Sequence, residues 1–69
     1  RYDRLHRWRK ARALARGVES DVIISRDALW AIAHAAPRTL EELAALDALG
    51  PWRLEKYGQE ILRELGIRN

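Results

Sequence analysis

Apolar residues recur at helical spacing in the first sixteen positions of the chain. Leu5, Trp8, Ala11 and Ala15 follow one another at intervals of three and four, which places them on one face of a helix predicted over residues 2–16. Gly17 predicts the end of this helix, because glycine adopts the left-handed conformation of a C-terminal cap at little cost.

The next segment, residues 18–24, contains Val22, Ile23 and Ile24 and is too apolar for a free loop. Valine and isoleucine favour a β-strand, but the sequence offers no second strand for pairing. An isolated strand would leave its backbone groups without partners. We therefore predict an irregular segment that lies over the core.

Two further helices are predicted between residues 25 and 46. Ser25 is a favourable N-cap for the first of them, and Pro37 ends it. Thr39 and Glu42 form a capping box, which predicts that the next helix begins after Thr39. The predicted core residues of these two helices are Leu29, Ile32, Ala33, Ala36, Leu40, Leu43, Ala44 and Leu46.

The last helix is predicted after a turn at residues 47–50. Pro51 suits its first position, where a missing N–H is not needed. Gly58, in the helix interior, costs roughly 1 kcal/mol relative to alanine, which indicates either a close helix contact or a bend. The predicted core residues are Leu54, Tyr57, Ile61 and Leu65.

Gly66 predicts the end of this helix, with Ile67 folded back onto Leu62 as in a Schellman cap. The whole pattern predicts an all-α fold, a compact bundle of four to five short helices.

The 69 residues are enough for one domain, and they contain no cysteine. Disulfide bonds and thiolate metal sites are therefore excluded, and a cytoplasmic location is expected. No stretch approaches the roughly 18 apolar residues of a membrane span. Since the chain begins within a helical pattern, we expect residues 1–69 to be a single domain of a larger nuclease or helicase.

Basic residues are concentrated at the start of the chain. Residues 1–16 contain seven Arg or Lys and one acid, whereas the remainder contains six basic and nine acidic residues. This asymmetry favours a surface that meets a nucleic acid or an acidic protein. An ordinary solvated helix with internal charge pairing is the alternative.

Two clusters are candidates for phosphate binding, with Arg26 and Arg38 as outlying additions. One cluster lies on the first helix and the other beside the turn, where unpaired amides and the helix dipole also favour an anion. Arg9 and Arg12 are expected at the edges of the apolar stripe, with their stems against the core. The candidate residues are Arg7, Arg9, Lys10, Arg12, Arg16, Gly50, Trp52, Arg53 and Lys56.

The three tryptophans have different expected roles. Trp8 occupies a core position of the first helix, and Trp30 falls beside the core face of its helix. Trp52, next to Arg53, is the best candidate for an exposed ring that stacks on a base. A role in holding the turn together is the alternative for Trp52.

No catalytic or metal-binding constellation is visible in the sequence. The acidic residues fall at helix starts and on helix faces, and His6 and His34 lie on different helices. Surface positions are expected for both histidines. We expect a non-catalytic domain without a metal or other cofactor.

In its order of apolar, glycine and proline positions the chain resembles the HRDC domain, the helicase and RNase D C-terminal domain. Trp8-Arg9, residues 27–33 and Pro37 are more similar to the bacterial ribonuclease D form than to the RecQ helicase form. The other matching residues are Leu5, Ala13, Val22, Ile23, Ile24, Thr39, Leu43, Gly50, Tyr57, Gly58 and Ile61.

The resemblance implies an accessory module that positions RNA or DNA for an attached 3'-5' exoribonuclease, whose catalytic carboxylates lie in a separate domain. A RecQ-type DNA helicase is the alternative parent. Asp21 stands where RecQ-type relatives often have an aromatic residue, and this carboxylate repels phosphate. The turn before Pro51 is similar to a helix-hairpin-helix motif, but Ala48 replaces its first glycine.

Two other functions remain open from the sequence. Besides nucleic-acid binding, the chain could serve as a module that docks on its own catalytic domain or as a purely structural lobe. A monomer is expected in each case. Docking would use the basic helix or an acidic patch formed by Glu41, Glu42, Asp47, Glu55 and Glu60.

Overall fold

Five α-helices make up the part of the chain that the computed structural model describes, residues 2–66. No strand occurs within this part, so the predicted all-α bundle is confirmed. The helices are α1 (Tyr2–Arg16), α2 (Ser20–Ile23), α3 (Arg26–Ala35), α4 (Leu40–Ala45) and α5 (Pro51–Glu64).

The end of α1 is a Schellman motif, as its glycine predicts. Gly17 has a φ of 70°, in the left-handed region. Its N–H donates to the Leu14 carbonyl at 3.2 Å, and the Val18 N–H donates to the Ala13 carbonyl at 3.0 Å. The predicted bounds of this helix are confirmed.

The buried face of α1 differs from the predicted stripe. Leu5 and Trp8 are buried as predicted, but Ala11 and Ala15 are exposed, and Arg9 and Ala13 take their place. The face is rotated because α1 packs against α2, α3 and α5. An arginine is tolerated inside this face because one guanidinium nitrogen, Nη1 of Arg9, finds partners.

The segment predicted to be irregular contains a one-turn helix, α2. Ile23 and Ile24 are buried, in agreement with a segment that covers the core, but Val22 is exposed. Residues 22–24 form the end of this helix. Their carbonyls accept hydrogen bonds from arginine side chains of α1 and α5. These bonds let one helical turn persist where its backbone acceptors would otherwise be unpaired.

Helix α3 starts as predicted and ends one residue earlier. The Ala28 N–H donates to Ser25 Oγ at 3.1 Å, which confirms the N-cap. Ala36 is the C-cap with a φ of 49° rather than a core residue of the helix, because a residue that precedes proline avoids the right-handed helical region. The buried residues are Ala28, Leu29, Ile32 and Ala33.

The capping box at the start of α4 is confirmed with one shift. The Glu42 N–H donates to Thr39 Oγ1 at 3.0 Å. The Glu42 side chain accepts from the Arg38 N–H at 3.2 Å, one residue before the cap. Leu43 is buried, but Ala44 is exposed, contrary to the prediction, because it lies roughly 100° around the helix from Leu43.

Helix α5 begins at Pro51 as predicted and packs against α4 across the intervening turn. Tyr57, Gly58, Ile61 and Leu62 are its buried residues, whereas the predicted Leu54 and Leu65 are half-buried.

The glycine inside α5 marks a close helix contact. A Cβ added at Gly58 would lie 2.9 Å from Leu40 Cδ2, so α4 approaches α5 where the side chain is missing. Gly66 has a φ of 85° just beyond this helix, as predicted. The predicted contact of Ile67 lies outside the described residues.

Candidate nucleic-acid interface

Trp52 presents its ring to solvent at the start of α5. Its side chain lies in the first turn, directly after Pro51, and is 55% exposed. The ring meets the buried Tyr57 edge to face, with centroids 6.2 Å apart and planes at 86°. Tyr57 therefore fixes the orientation of Trp52 without covering it.

Two cations from different helices converge on this ring. Arg16 Cζ, at the end of α1, lies 5.7 Å from the Trp52 ring centroid, and Lys56 Nζ lies 5.4 Å from it. Each contact is a cation–π interaction of about 0.5–1 kcal/mol at an exposed position. We call Arg16, Trp52 and Lys56 the α1–α5 cluster.

Tyr57 organises the underside of the α1–α5 cluster. Its hydroxyl accepts a hydrogen bond from the Arg16 guanidinium, and the Arg12 guanidinium lies 5.7 Å from its ring centroid. Trp8 packs on the same ring edge to face at 5.6 Å. The cations at the end of α1 are thereby tied to a residue at the centre of the core.

Arg12 is already partly neutralised. Its Nε lies 3.3 Å from Glu60 Oε1, and both side chains are about one-third exposed. The same carboxylate oxygen accepts from Trp8 Nε1 at 3.0 Å. The charge of Arg12 is therefore offset by Glu60, and Glu60 belongs to this internal network rather than to a free acidic patch.

Arg9 lies in the core. It is only 6% exposed, and its Nη1 donates to the Ile24 carbonyl at 3.0 Å and to Asp21 Oδ1 at 3.3 Å. A guanidinium held in this way is not available to phosphate. Of the residues predicted to bind, Arg9 is therefore reassigned to the core, where it joins α1 to α2.

Arg53 is also occupied by the protein itself. Its Nε donates to the Ile23 carbonyl at 2.9 Å and its Nη2 to the Val22 carbonyl at 3.1 Å. The side chain is half-buried and joins the first turn of α5 to the end of α2. These bonds hold the first turn of α5, which carries Trp52, against the end of α2.

Arg7 and Lys10 are exposed on a different side of α1. At 3.6 residues per turn they are rotated roughly 120° to 180° around the helix from Arg12 and Arg16. The two groups of basic residues therefore face different directions. The spacing in the sequence indicates which residues share a helix face. Arg12 and Arg16 are four residues apart, as are Trp52 and Lys56.

Gly50 is the N-cap of α5, with a φ of −70° that any residue can adopt. A Cβ built on it meets nothing within 4 Å, so neither conformation nor space requires a glycine. No side chain caps this helix end, which leaves its first-turn amides beside Trp52 for an anion. The residue in this turn with a positive φ is Asp47, at 54°.

The remaining candidates for chemistry are dispersed. Trp8 is buried as expected, and Trp30 is exposed. Within residues 2–66, no three of His, Asp and Glu are grouped so that they could hold a metal ion. None of the helices described is long and apolar enough to cross a membrane.

These features define a small all-α module with a basic and aromatic surface. The sequence matches the HRDC domain family over residues 1–65, and the chain therefore belongs to the HRDC family. HRDC domains are generally non-catalytic accessory modules associated with nucleic acids. No curated protein and no solved structure is significantly similar to the chain.

Proposed function

We propose that this HRDC domain holds a single nucleic-acid strand across the α1–α5 cluster and positions it for an attached 3'-5' exoribonuclease of the ribonuclease D type. Trp52 stacks on one base, while Arg16 and Lys56 contact the flanking phosphates. The observation that carries the proposal is the convergence of these two cations, from separate helices, within 6 Å of one exposed tryptophan ring.

This arrangement has the two parts that single-strand binding requires. An aromatic face accepts any base, and cations beside it neutralise the backbone, so binding is tolerant of sequence and sensitive to salt. The described helices present no cluster of Asn, Gln and Arg that would read base edges in a groove. The domain therefore contributes affinity for the strand but no sequence specificity.

The test is fluorescence anisotropy with labelled single-stranded RNA and DNA of about 16 nucleotides at low and moderate salt. Trp52→Ala is expected to weaken binding about 5- to 150-fold, the range for one stacked base. Leu14→Ala, an exposed apolar position on α1, is the matched control and is expected to bind as the unaltered chain does. Equal affinity of the Trp52→Ala variant and the unaltered chain would contradict the proposal.

The same titration separates the parent proteins. Tighter binding of RNA supports the ribonuclease D type, whose similarity is carried by Trp8-Arg9, residues 27–33 and Pro37. Tighter binding of DNA favours a RecQ-type helicase. Failure of both strands at low salt, together with binding to the parent's catalytic domain, would replace strand binding with docking.

A further inference from the structure

A second pair of aromatic rings lies between α1 and α3, near the start of α1. The Tyr2 and Trp30 rings are stacked, with centroids 4.3 Å apart and planes at 27°. His6 lies beside Tyr2, with centroids 5.8 Å apart. We call Tyr2 and Trp30 the α1–α3 stack.

The Trp30 ring is ordered by one partner and open to others. Trp30 is 54% exposed although Tyr2 covers part of it, so a large part of the indole surface faces solvent. Trp30 lies outside the buried core, so burial there does not account for its position. A ring held in a fixed orientation with an open surface is preorganised for a further planar group, because less rotational freedom is lost on binding.

A basic residue of α3 lies beside Trp30. Arg26 lies one helical turn before Trp30 on the same flank of α3, and it forms no ion pair with another residue of the described segment. Asp27 flanks Trp30 on the other side, three residues earlier in α3, where it shares a shallow depression with Ala31 and Asp47. Of the two charged residues of α3 that neighbour Trp30, Arg26 is therefore the one that can meet an anion.

A planar ring with an attached anion is the partner that fits these features. We propose that the α1–α3 stack is a second stacking site, at which Trp30 receives a nucleobase and Arg26 its phosphate. The proposal rests on the proposed function, because the base belongs to the same strand that the α1–α5 cluster holds. A protein partner would need a broader apolar surface than one indole and its stacked tyrosine.

The two sites lie at opposite ends of α1. Tyr2 and Arg16 are the first and last residues of this helix, about 21 Å apart at 1.5 Å per residue. One strand that reaches both sites would bind more tightly than a strand that reaches one, because the second contact is intramolecular. The α1–α3 stack would thus lengthen the segment of nucleic acid that the domain holds.

Tryptophan fluorescence tests this site directly, since Trp8 is buried and only Trp30 and Trp52 are exposed. In a Trp52→Phe variant the exposed signal comes from Trp30, and in the matched Trp30→Phe variant it comes from Trp52. Both variants keep an aromatic ring at the altered position. They are titrated at low salt with unlabelled oligothymidylate and oligouridylate of about 4 and about 16 nucleotides.

We expect the longer oligonucleotides to quench the tryptophan fluorescence of both variants over the same concentration range. Trp30→Ala is expected to weaken binding of the 16-nucleotide strand at least about fivefold. Arg26→Gln alone is expected to weaken binding of this strand more at low salt than at moderate salt. Loss of one stack should reduce the advantage of the long strand over the short strand. Circular dichroism is used to check that each variant is folded.

Three results would overturn the proposal. If the strand quenches Trp52 but not Trp30, and Trp30→Ala binds normally, the strand uses the α1–α5 cluster alone. If Trp30→Ala weakens binding of the parent's catalytic domain but not of oligonucleotides, the stack is a protein contact. If no oligonucleotide binds either variant or the unaltered chain, the proposed function itself fails.

Discussion

At the scale of single residues, chemical type does not decide what an arginine does in this domain. Arg9, Arg16 and Arg53 are all basic residues that the sequence makes candidates for phosphate binding. In the structure Arg9 and Arg53 donate to backbone carbonyls at the end of α2, whereas Arg16 lies at the surface against Trp52. The difference arises from the position of each arginine around its helix. A count of charges in the sequence does not give this position.

Arg9 makes the internal role testable. Arg9→Leu removes the donor to the buried Ile24 carbonyl and is expected to lower the free energy of unfolding by about 1–3 kcal/mol, the cost of an unpaired buried polar group. Urea denaturation followed by circular dichroism measures this change. Unaltered stability would show that the bond contributes nothing.

Asp21 provides the matched control for Arg9. Its side chain is 77% exposed, so its ion pair with Arg9 is screened by water. Asp21→Asn is therefore expected to change the free energy of unfolding by less than about 1 kcal/mol. A larger loss for Asp21→Asn than for Arg9→Leu would reverse our assignment of the two contacts.

At the scale of helices, most ends could be predicted because they depend on local chemistry. Gly17, Ser25, Thr39 and Pro51 each bound a helix where the sequence places them. The one-turn helix α2 could not be predicted, because its carbonyls depend on arginines that are distant in sequence. Local signals fix helix ends, whereas short helices need tertiary partners.

The contact between α4 and α5 gives a prediction at this scale. Gly58→Ala would place a methyl group against Leu40 Cδ2, which opposes the gain of roughly 1 kcal/mol in helix propensity. In a Leu40→Ala background this obstacle is absent. Gly58→Ala is therefore expected to be more favourable there by at least about 1 kcal/mol.

A double-mutant cycle by urea denaturation measures this coupling between Gly58 and Leu40. The four proteins are the unaltered chain, the two single variants and the double variant. If Gly58→Ala has the same effect in both backgrounds, the close approach of Leu40 is not what requires a glycine.

At the scale of the whole molecule, the fold class followed from the sequence while the shape of the interface did not. The sequence placed a basic helix and a tryptophan-bearing turn in one binding surface. The structure brings Arg16, Trp52 and Lys56 together, and their role in binding is our proposal. The buried face of α1, rotated by contacts with three other helices, decides which of its cations face α5.

Our central claim is therefore that the position of the basic residues, rather than the net charge, determines how the domain binds a strand. Arg16→Gln with Lys56→Gln, and Arg7→Gln with Lys10→Gln, remove two positive charges each and leave the same net charge. The first pair lies in the α1–α5 cluster and the second on another side of α1. The salt dependence of single-strand affinity distinguishes them, because each lost phosphate contact lowers the slope by about 0.7.

The most direct test is the slope of log affinity against log salt for these two double variants, measured by anisotropy with the same labelled strand. We predict that the Arg16→Gln/Lys56→Gln variant loses about 1.4 from the slope, and that the Arg7→Gln/Lys10→Gln variant keeps the slope of the unaltered chain. Equal losses in both variants, or a larger loss in the second, would contradict a strand held across α1 and α5.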